Sequence, residues 1–151
     1  MKKNSIMEFT HEVTIQRPIQ RVWHFILETD NLKQWADGYL GYEQINGNPR
    51  EEGSSSIHRY HVMGSLFEVT EEVIEIRTYE LMRLKQIMRG QISEVETTLT
   101  EVNENEVKVK MTYTFHMQNA FYRLIASLTK SIHRRRIVKI VEKLKTILES
   151  E

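Results

Sequence analysis

The sequence predicts an α+β domain in which a curved, seven-stranded antiparallel sheet surrounds a long C-terminal helix. Two observations carry this prediction. Residues 39–117 contain six strand-like segments separated by short turns, and residues 119–151 form one amphipathic stretch without Pro or Gly. Short turns connect antiparallel neighbours. A long helix with an apolar side must bury that side, and the apolar face of the sheet is the available partner.

The first strand is predicted at residues 8–16, where apolar and polar side chains alternate. Pro18 closes this strand and suits the first turn of a helix that carries Trp23 on its apolar side. Thr29-Asp30 ends that helix and is expected to cap a second short helix, which contains Trp35. Two short helices are therefore expected between the first and second strands.

Six further strands are predicted between turn signals, of which Asn46-Gly47-Asn48-Pro49 is the strongest and Met63-Gly64 and Arg89-Gly90 are clear. Their expected positions are residues 40–46, 54–63, 66–77, 81–89, 92–102 and 106–117. Asn119 is then predicted to cap a helix of about 30 residues, roughly 45 Å long. One apolar stripe is predicted to follow this helix, through Phe121, Leu124, Leu128, Ile137, Val141, Leu144 and Leu148.

Composition restricts the class of protein. The 21 Lys and Arg residues balance 21 Asp and Glu residues, and a neutral chain argues against general nucleic-acid binding. The absence of cysteine excludes disulfides and thiolate metal sites. No run reaches the roughly 20 apolar residues of a membrane span, and acidic residues follow the basic start where a signal peptide would be apolar. We therefore expect one cytoplasmic domain, residues 1–151.

Residues 13–23, which read VTIQRPIQRVW, give a strand, a proline and a helix with Val-Trp. With Leu32, Trp35, Glu52-Gly53 and residues 69–73, this pattern resembles the START-like superfamily, also called SRPBCC, which includes polyketide cyclase-like proteins and the major birch-pollen allergen. The resemblance implies the helix-grip fold over nearly the whole chain. It also implies a lipid, polyketide or other apolar ligand held between sheet and helix. Some members of the family cyclise or hydrolyse their substrates, so the resemblance does not fix the function.

Patterns for metal binding or catalysis are weak. His58 and His61 are three apart in a strand, so their side chains point to opposite faces. Glu94 and Glu96 share one strand face, but that face reads as the solvated outer side of the sheet. There is no glycine-rich phosphate loop and no nucleophile beside a base. We expect no metal and no cofactor, and the sequence assigns no catalytic residue.

Inward-facing polar residues among apolar ones are typical of a pocket for a small amphipathic molecule. The alternative is that these polar groups satisfy one another inside a filled core. The candidate ligand-binding residues are His11, Val13, Tyr42, His58, Tyr60, Val95, Met111 and Tyr113 on the sheet, and Phe121, Leu124 and Leu128 on the helix.

Three functions remain open. The leading hypothesis is the binding of a small apolar or amphipathic ligand, and the others are a cyclase- or hydrolase-like enzyme using cavity His and Tyr and a protein-interaction module. Residues 119–151 carry eight Lys or Arg and three Glu. This basic helix is interpreted as a solvated face, a peripheral contact with anionic lipid headgroups or a partner of the acidic residues within 68–106. Stable membrane insertion is not expected, and both a monomer and a homodimer fit.

Overall fold

The computed structural model describes residues 5–151, so the basic opening at residues 1–4 lies outside the described part of the chain. The strands are β1 (Ser5–Ile15), β2 (Tyr39–Asn46), β3 (Ser55–Val62), β4 (Ser65–Arg77), β5 (Leu81–Met88), β6 (Gln91–Asn103) and β7 (Glu106–Met117). The helices are α1 (Ile19–Leu27), α2 (Leu32–Trp35) and α3 (Ala120–Glu149), with a 3-10 turn at Thr29–Asn31 before α2. Strands β2 to β7 begin and end within one residue of the predicted bounds.

All seven strands form one sheet in the order β1-β7-β6-β5-β4-β3-β2, and every neighbouring pair is antiparallel. Strand β1 alone departs from sequence order, because α1 and α2 carry the chain to the far edge of the sheet before β2 begins. The predicted α+β helix-grip architecture, with a curved sheet around the C-terminal helix, is confirmed.

Two of the hairpins have the turn chemistry that the sequence predicted. Met63-Gly64 and Arg89-Gly90 each form a two-residue loop with positive φ at both positions. This is the type I′ geometry, whose twist matches that of the flanking strands. The capping expectation for α2 is wrong: its N-cap residue is Asn31, without a side-chain capping bond. The Asn31 amide instead donates to the Phe25 carbonyl oxygen at 3.0 Å.

The C-terminal half of α3 closes one end of the sheet. Val141, Leu144 and Leu148 are fully buried and join the same apolar cluster as Trp23 on α1 and Ile15 on β1. The buried residues of this half of the helix and of the Trp23 helix therefore belong to one apolar cluster. We call this closed region the back half of the fold.

The N-terminal half of α3 differs from the prediction. Asn119 caps the helix as expected, its Oδ1 accepting from the Tyr122 amide at 3.1 Å. However, Phe121, Leu124 and Leu128 are 65%, 60% and 74% exposed, so the single stripe running from Phe121 to Leu148 is wrong. Leu128 and Ile137 are nine positions apart, about two and a half turns, which places them on opposite sides of the helix.

Candidate functional site

The candidate site lies on the inward face of strands β2 to β7, at the end away from the closed core. The predicted phase of β3 agrees with the structure: His58 is 2% exposed, and its ring packs against Tyr39 at 5.8 Å and stacks on Tyr42 at 5.7 Å between centroids. Tyr39 also contacts Tyr60, at 5.2 Å between centroids. The inward sides of β2 and β3 therefore form one aromatic wall.

Burial changes along the inward face. Near the back half the inward residues are buried, whereas the aromatic residues toward the β3–β4 and β5–β6 turns are only half-buried. We call this half-buried set the front groove, and its aromatic residues are Tyr42, Tyr60, Phe67, Tyr113 and Phe115. The groove thus offers accessible apolar and phenolic surface on the concave side of the sheet.

A charged pair is buried behind the groove. The Arg50 guanidinium Nη1 donates to Glu71 Oε1 at 2.7 Å, and both side chains are less than one-tenth exposed. Gln86 Nε2 donates to the second carboxylate oxygen at 3.2 Å. Because Ser56, Glu71 and Gln86 pair across β3, β4 and β5, the sheet register sets this row of polar groups.

Arg50 holds a backbone conformation that non-glycine residues rarely adopt. Its φ is +60°, in the left-handed region, at a cost of roughly 1–2 kcal/mol for an L-residue. In the β2–β3 connection, the Arg50 side chain therefore points inward although its backbone conformation is unfavourable. The ion pair with Glu71 offsets that cost.

His58 connects the ion pair to the aromatic wall. Its Nδ1 lies 3.0 Å from the Tyr39 hydroxyl, and its Nε2 lies 2.8 Å from the Ser56 hydroxyl. The same Nε2 is 3.5 Å from Glu71 Oε1. One assignment satisfies every contact: Tyr39 donates to Nδ1, and the Nε2 hydrogen is directed toward Ser56 and Glu71. Both ring nitrogens are thereby occupied by protein partners.

The protonation states follow from these contacts. Burial alone would raise the pKa of Glu71, but the Arg50 charge and the hydrogen bonds from His58 and Gln86 outweigh burial and hold that pKa at about 2. Burial raises the pKa of Tyr113 to about 12 and also raises the pKa of Tyr60. Near neutral pH the site therefore presents an ionised, paired carboxylate and neutral phenols.

The sequence-predicted residues divide into three groups. Tyr42, His58, Tyr60 and Tyr113 come together around the front groove. Val13, Val95 and Met111 point inward but lie in the filled core, at 3–7% exposure. His11 is apart from both groups, since its Nε2 bonds Glu142 Oε1 of α3 at 2.9 Å. The helix residues Phe121, Leu124 and Leu128 lie on the exposed side of α3 and form no wall facing the sheet.

Sequence reasoning did not find the buried ion pair. A signal was present for Glu71, because Phe67, Val69 and Val73 place it at an inward position of β4. A charged residue at an inward position of a strand is rarely buried without a partner. Arg50 gave no signal. Its partner, Glu71, is 21 positions further along the chain, and only the pairing of the strands brings the two residues together.

Two surface clefts lie outside the front groove. One, of about 260 Å³, is on the outer face of the sheet and includes Glu94 and Glu96, where Arg83 bonds Glu96 at 2.8 Å. The other, of about 300 Å³, lies between the end of α1 and the β2–β3 connection. Within residues 5–151, no three His, Asp or Glu side chains converge as metal ligands would. No helix in that range is both long and apolar enough to cross a bilayer.

Solved structures with this architecture include an aromatase/cyclase and a protein of unknown function. The Zhui aromatase/cyclase from Streptomyces sp. R1128 superposes with a TM-score of 0.77 and 11% identity, over 96% of this chain and 94% of that one. A Staphylococcus aureus protein of unknown function gives 0.73 and 16%, over 98% and 96%. Ara h 8.0201 gives 0.71 and 14%, over 97% and 100%. Identities this low support a shared fold only.

No curated protein sequence matches the chain. A family model described as polyketide cyclase / dehydrase and lipid transport matches residues 7–149, which includes every strand and helix apart from the first residues of β1. The chain therefore belongs to the polyketide cyclase / dehydrase and lipid transport family, within the START-like superfamily that its strand, proline and Val-Trp pattern indicated.

Proposed function

We propose that the protein binds a small amphipathic molecule in the front groove. The observation that carries this proposal is a set of three phenols, Tyr42, Tyr60 and Tyr113, that are half-buried on the concave face. Within the described residues their hydroxyls make no hydrogen bond to protein, whereas the Tyr39 hydroxyl is bonded to His58. An apolar surface with a few polar groups that lack protein partners is the composition of a ligand site.

The phenylalanine rings and the phenols of the front groove suggest the ligand's shape and chemistry. Phe67 and Phe115 provide apolar surface for a ring or an acyl chain. Neutral phenols both donate and accept hydrogen bonds, so they suit a hydroxyl, carbonyl or carboxyl group at one end of the ligand. We therefore propose a lipid-like or aromatic polyketide-like molecule with a polar end.

Binding is better supported than catalysis. A carboxylate with a pKa of about 2 that is already paired with Arg50 is a weak general base. His58 would be the stronger candidate base, but both of its nitrogens are held by Tyr39 and Ser56. The network therefore acts as a rigid support behind the groove. Membership of a family described by both cyclase and lipid-transport activities is compatible with this role.

The test is the binding of cis-parinaric acid, a fluorescent fatty acid, to the purified protein. We expect saturable fluorescence enhancement for the wild type. The double variant Tyr60→Phe with Tyr113→Phe keeps both rings and removes two hydroxyls. It should bind about fivefold to 150-fold more weakly, since each of the two hydrogen bonds lost contributes roughly 0.5–1.5 kcal/mol.

Two controls make the test specific to the groove. Tyr79→Phe removes a phenol from the β4–β5 turn, beside Trp23 in the closed half, and should leave probe affinity unchanged. Leu128→Glu alters the exposed side of α3 and should also leave it unchanged. A wild-type protein that binds no probe, and retains no small molecule in native mass spectrometry, would contradict the proposal.

A further inference from the structure

The N-terminal half of α3 carries an apolar surface that the described residues do not cover. We call it the outer stripe, and its members are Phe121, Leu124, Ile125, Leu128 and Ile132, which are 41–74% exposed. Their spacing of three and four residues places them along one side of the helix. The opposite side, at Ala126 and His133, meets the sheet, where His133 packs on Phe115 at 5.1 Å between centroids. A contiguous apolar surface of this kind marks an interaction site.

Positive charge lies beside the C-terminal end of the outer stripe. Residues 107–141 contain no Asp or Glu, and Arg135 follows Ile132 by three positions, on the same side of the helix. Among residues 5–151, the α3 cations that form ion pairs are Lys139 and Lys143 with Asp37, and Lys145 with Glu149. The basic residues without such a carboxylate partner are Arg123, Lys130, Arg134, Arg135 and Arg136.

This charge pattern disfavours a second copy of the chain as the partner. Packing two outer stripes in parallel would bring Arg135 of both copies together. In either orientation, residues 119–141 of the facing helix carry no carboxylate that could pair with it. Of the acidic residues of the sheet, Glu68, Glu75 and Glu96 already pair with Arg59 and Arg83. Glu8 and Glu94 line the cleft on the outer face of the sheet, away from α3. An anionic lipid surface instead provides an apolar layer for the stripe and negative headgroups for the cations.

A second exposed apolar feature lies at the same end of the molecule. Antiparallel connectivity places the β3–β4 turn, the β5–β6 turn and the start of α3 at one end of the sheet. Met63 in the first of these turns is 98% exposed, and Leu66 beside it is 65% exposed. The Gln118 amide bonds the Gly90 carbonyl, which ties the β5–β6 turn to the start of α3. Tyr60, Phe67 and Phe115 of the front groove lie toward this same end.

We infer that the protein docks peripherally on anionic lipid bilayers through the outer stripe and the β3–β4 turn. The stripe and Met63 enter the interfacial region, and Arg135 and its neighbours contact the headgroups. In this orientation the front groove faces the membrane. The inference rests on the exposed surface alone and does not require the proposed ligand.

Vesicle co-sedimentation tests the inference directly. We expect binding to vesicles of phosphatidylcholine with 30% phosphatidylglycerol, little binding to phosphatidylcholine alone, and weaker binding as salt rises. Leu128→Glu should weaken partitioning about tenfold or more, because it places a charge where an apolar side chain would be buried. Arg135→Glu should weaken it by several-fold in phosphatidylglycerol vesicles.

Lys33→Glu is the matched charge control, since Lys33 is an exposed residue of α2 and its reversal should reduce partitioning much less than Arg135→Glu. Circular dichroism and the melting temperature establish that each variant is folded. Equal vesicle binding by wild type and Leu128→Glu overturns the inference. So does a wild-type dimer in sedimentation velocity that Leu128→Glu dissociates, which would assign the stripe to a second copy. Binding of cis-parinaric acid is measured without vesicles, so it tests the proposed ligand site independently of membrane docking.

Discussion

The two halves of α3 lie against one sheet in opposite environments. In the back half, Ile137, Val141, Leu144 and Leu148 are 0–4% exposed, and the last three belong to the core cluster that includes α1 and the sheet. In the front half, the sheet-facing side is formed by Ala126 and half-buried groups such as His133, and the other side exposes the outer stripe. The comparison shows that burial of the back half stabilises the fold, while the front half leaves surface available for binding.

The inward face of the sheet shows the same division. Near the back half its residues are apolar, with Thr97 as a buried exception. Toward the front, the inward positions of β3 to β5 hold His58, Glu71 and Gln86. A buried polar network costs stability unless all its members are satisfied. This network lies toward the open end. The polar part of the inward face therefore supports the groove, and the apolar part supports the core.

The largest expected effect is at the buried ion pair. Arg50→Met should lower the free energy of unfolding by about 3–5 kcal/mol, because it leaves the Glu71 carboxylate buried without its cation. Urea denaturation monitored by tryptophan fluorescence measures this. The double variant Arg50→Met with Glu71→Gln should recover part of the loss, since the uncompensated charge is gone. A loss of less than 1 kcal/mol for Arg50→Met would show that water reaches the cluster.

A pair of truncations compares the two halves of the helix directly. Leu144→Ala should cost about 2–5 kcal/mol, because it opens a cavity in a fully buried position. Leu128→Ala, on the outer stripe, should change the free energy of unfolding by no more than about 0.5 kcal/mol. Both are measured by urea denaturation. Similar costs at the two positions would mean that the front half of α3 is packed as tightly as the back.

The contrast also explains which features the sequence could predict. Strand positions followed from alternation and from the Met63-Gly64 and Arg89-Gly90 turns, because those signals act within a few residues. The phase of α3 did not follow: Leu128 and Ile137 are both apolar, and periodicity alone does not show which of two stripes is buried. The Arg50 contact with Glu71 depends on the register of β3 and β4, which no local pattern specifies.

Acid titration sharpens the comparison at Glu71. Because the folded state holds the pKa of Glu71 at about 2, below its ordinary 4.5, ionised Glu71 stabilises the fold above about pH 4.5. This contribution is lost as pH falls through the folded value. Between pH 5 and pH 2 the wild type should lose on the order of 3 kcal/mol more stability than Glu71→Gln. If the two proteins lose the same stability over this pH range, the ion pair between Arg50 and Glu71 does not determine stability in acid.

The smallest expected effect tests whether the front half of α3 opens independently of the core. Asn119→Ala removes the side chain that accepts from the Tyr122 amide, and loss of such a cap costs about 1 kcal/mol. Because few buried contacts hold the front half, we expect this cost as local opening. Amide exchange should accelerate about fivefold near residues 122–128, with little change at 137–148.

The matched variant for that test is Thr146→Ala, whose hydroxyl bonds the Glu142 carbonyl at 3.0 Å within the back half. It should leave exchange in both segments near wild-type rates, because packing at Leu144 and Leu148 holds this half independently of a surface hydrogen bond. If Asn119→Ala instead accelerates exchange along the entire helix, the two halves unfold as one unit. The open groove would then be coupled to the core, and ligand binding at the front would stabilise the fold as a whole.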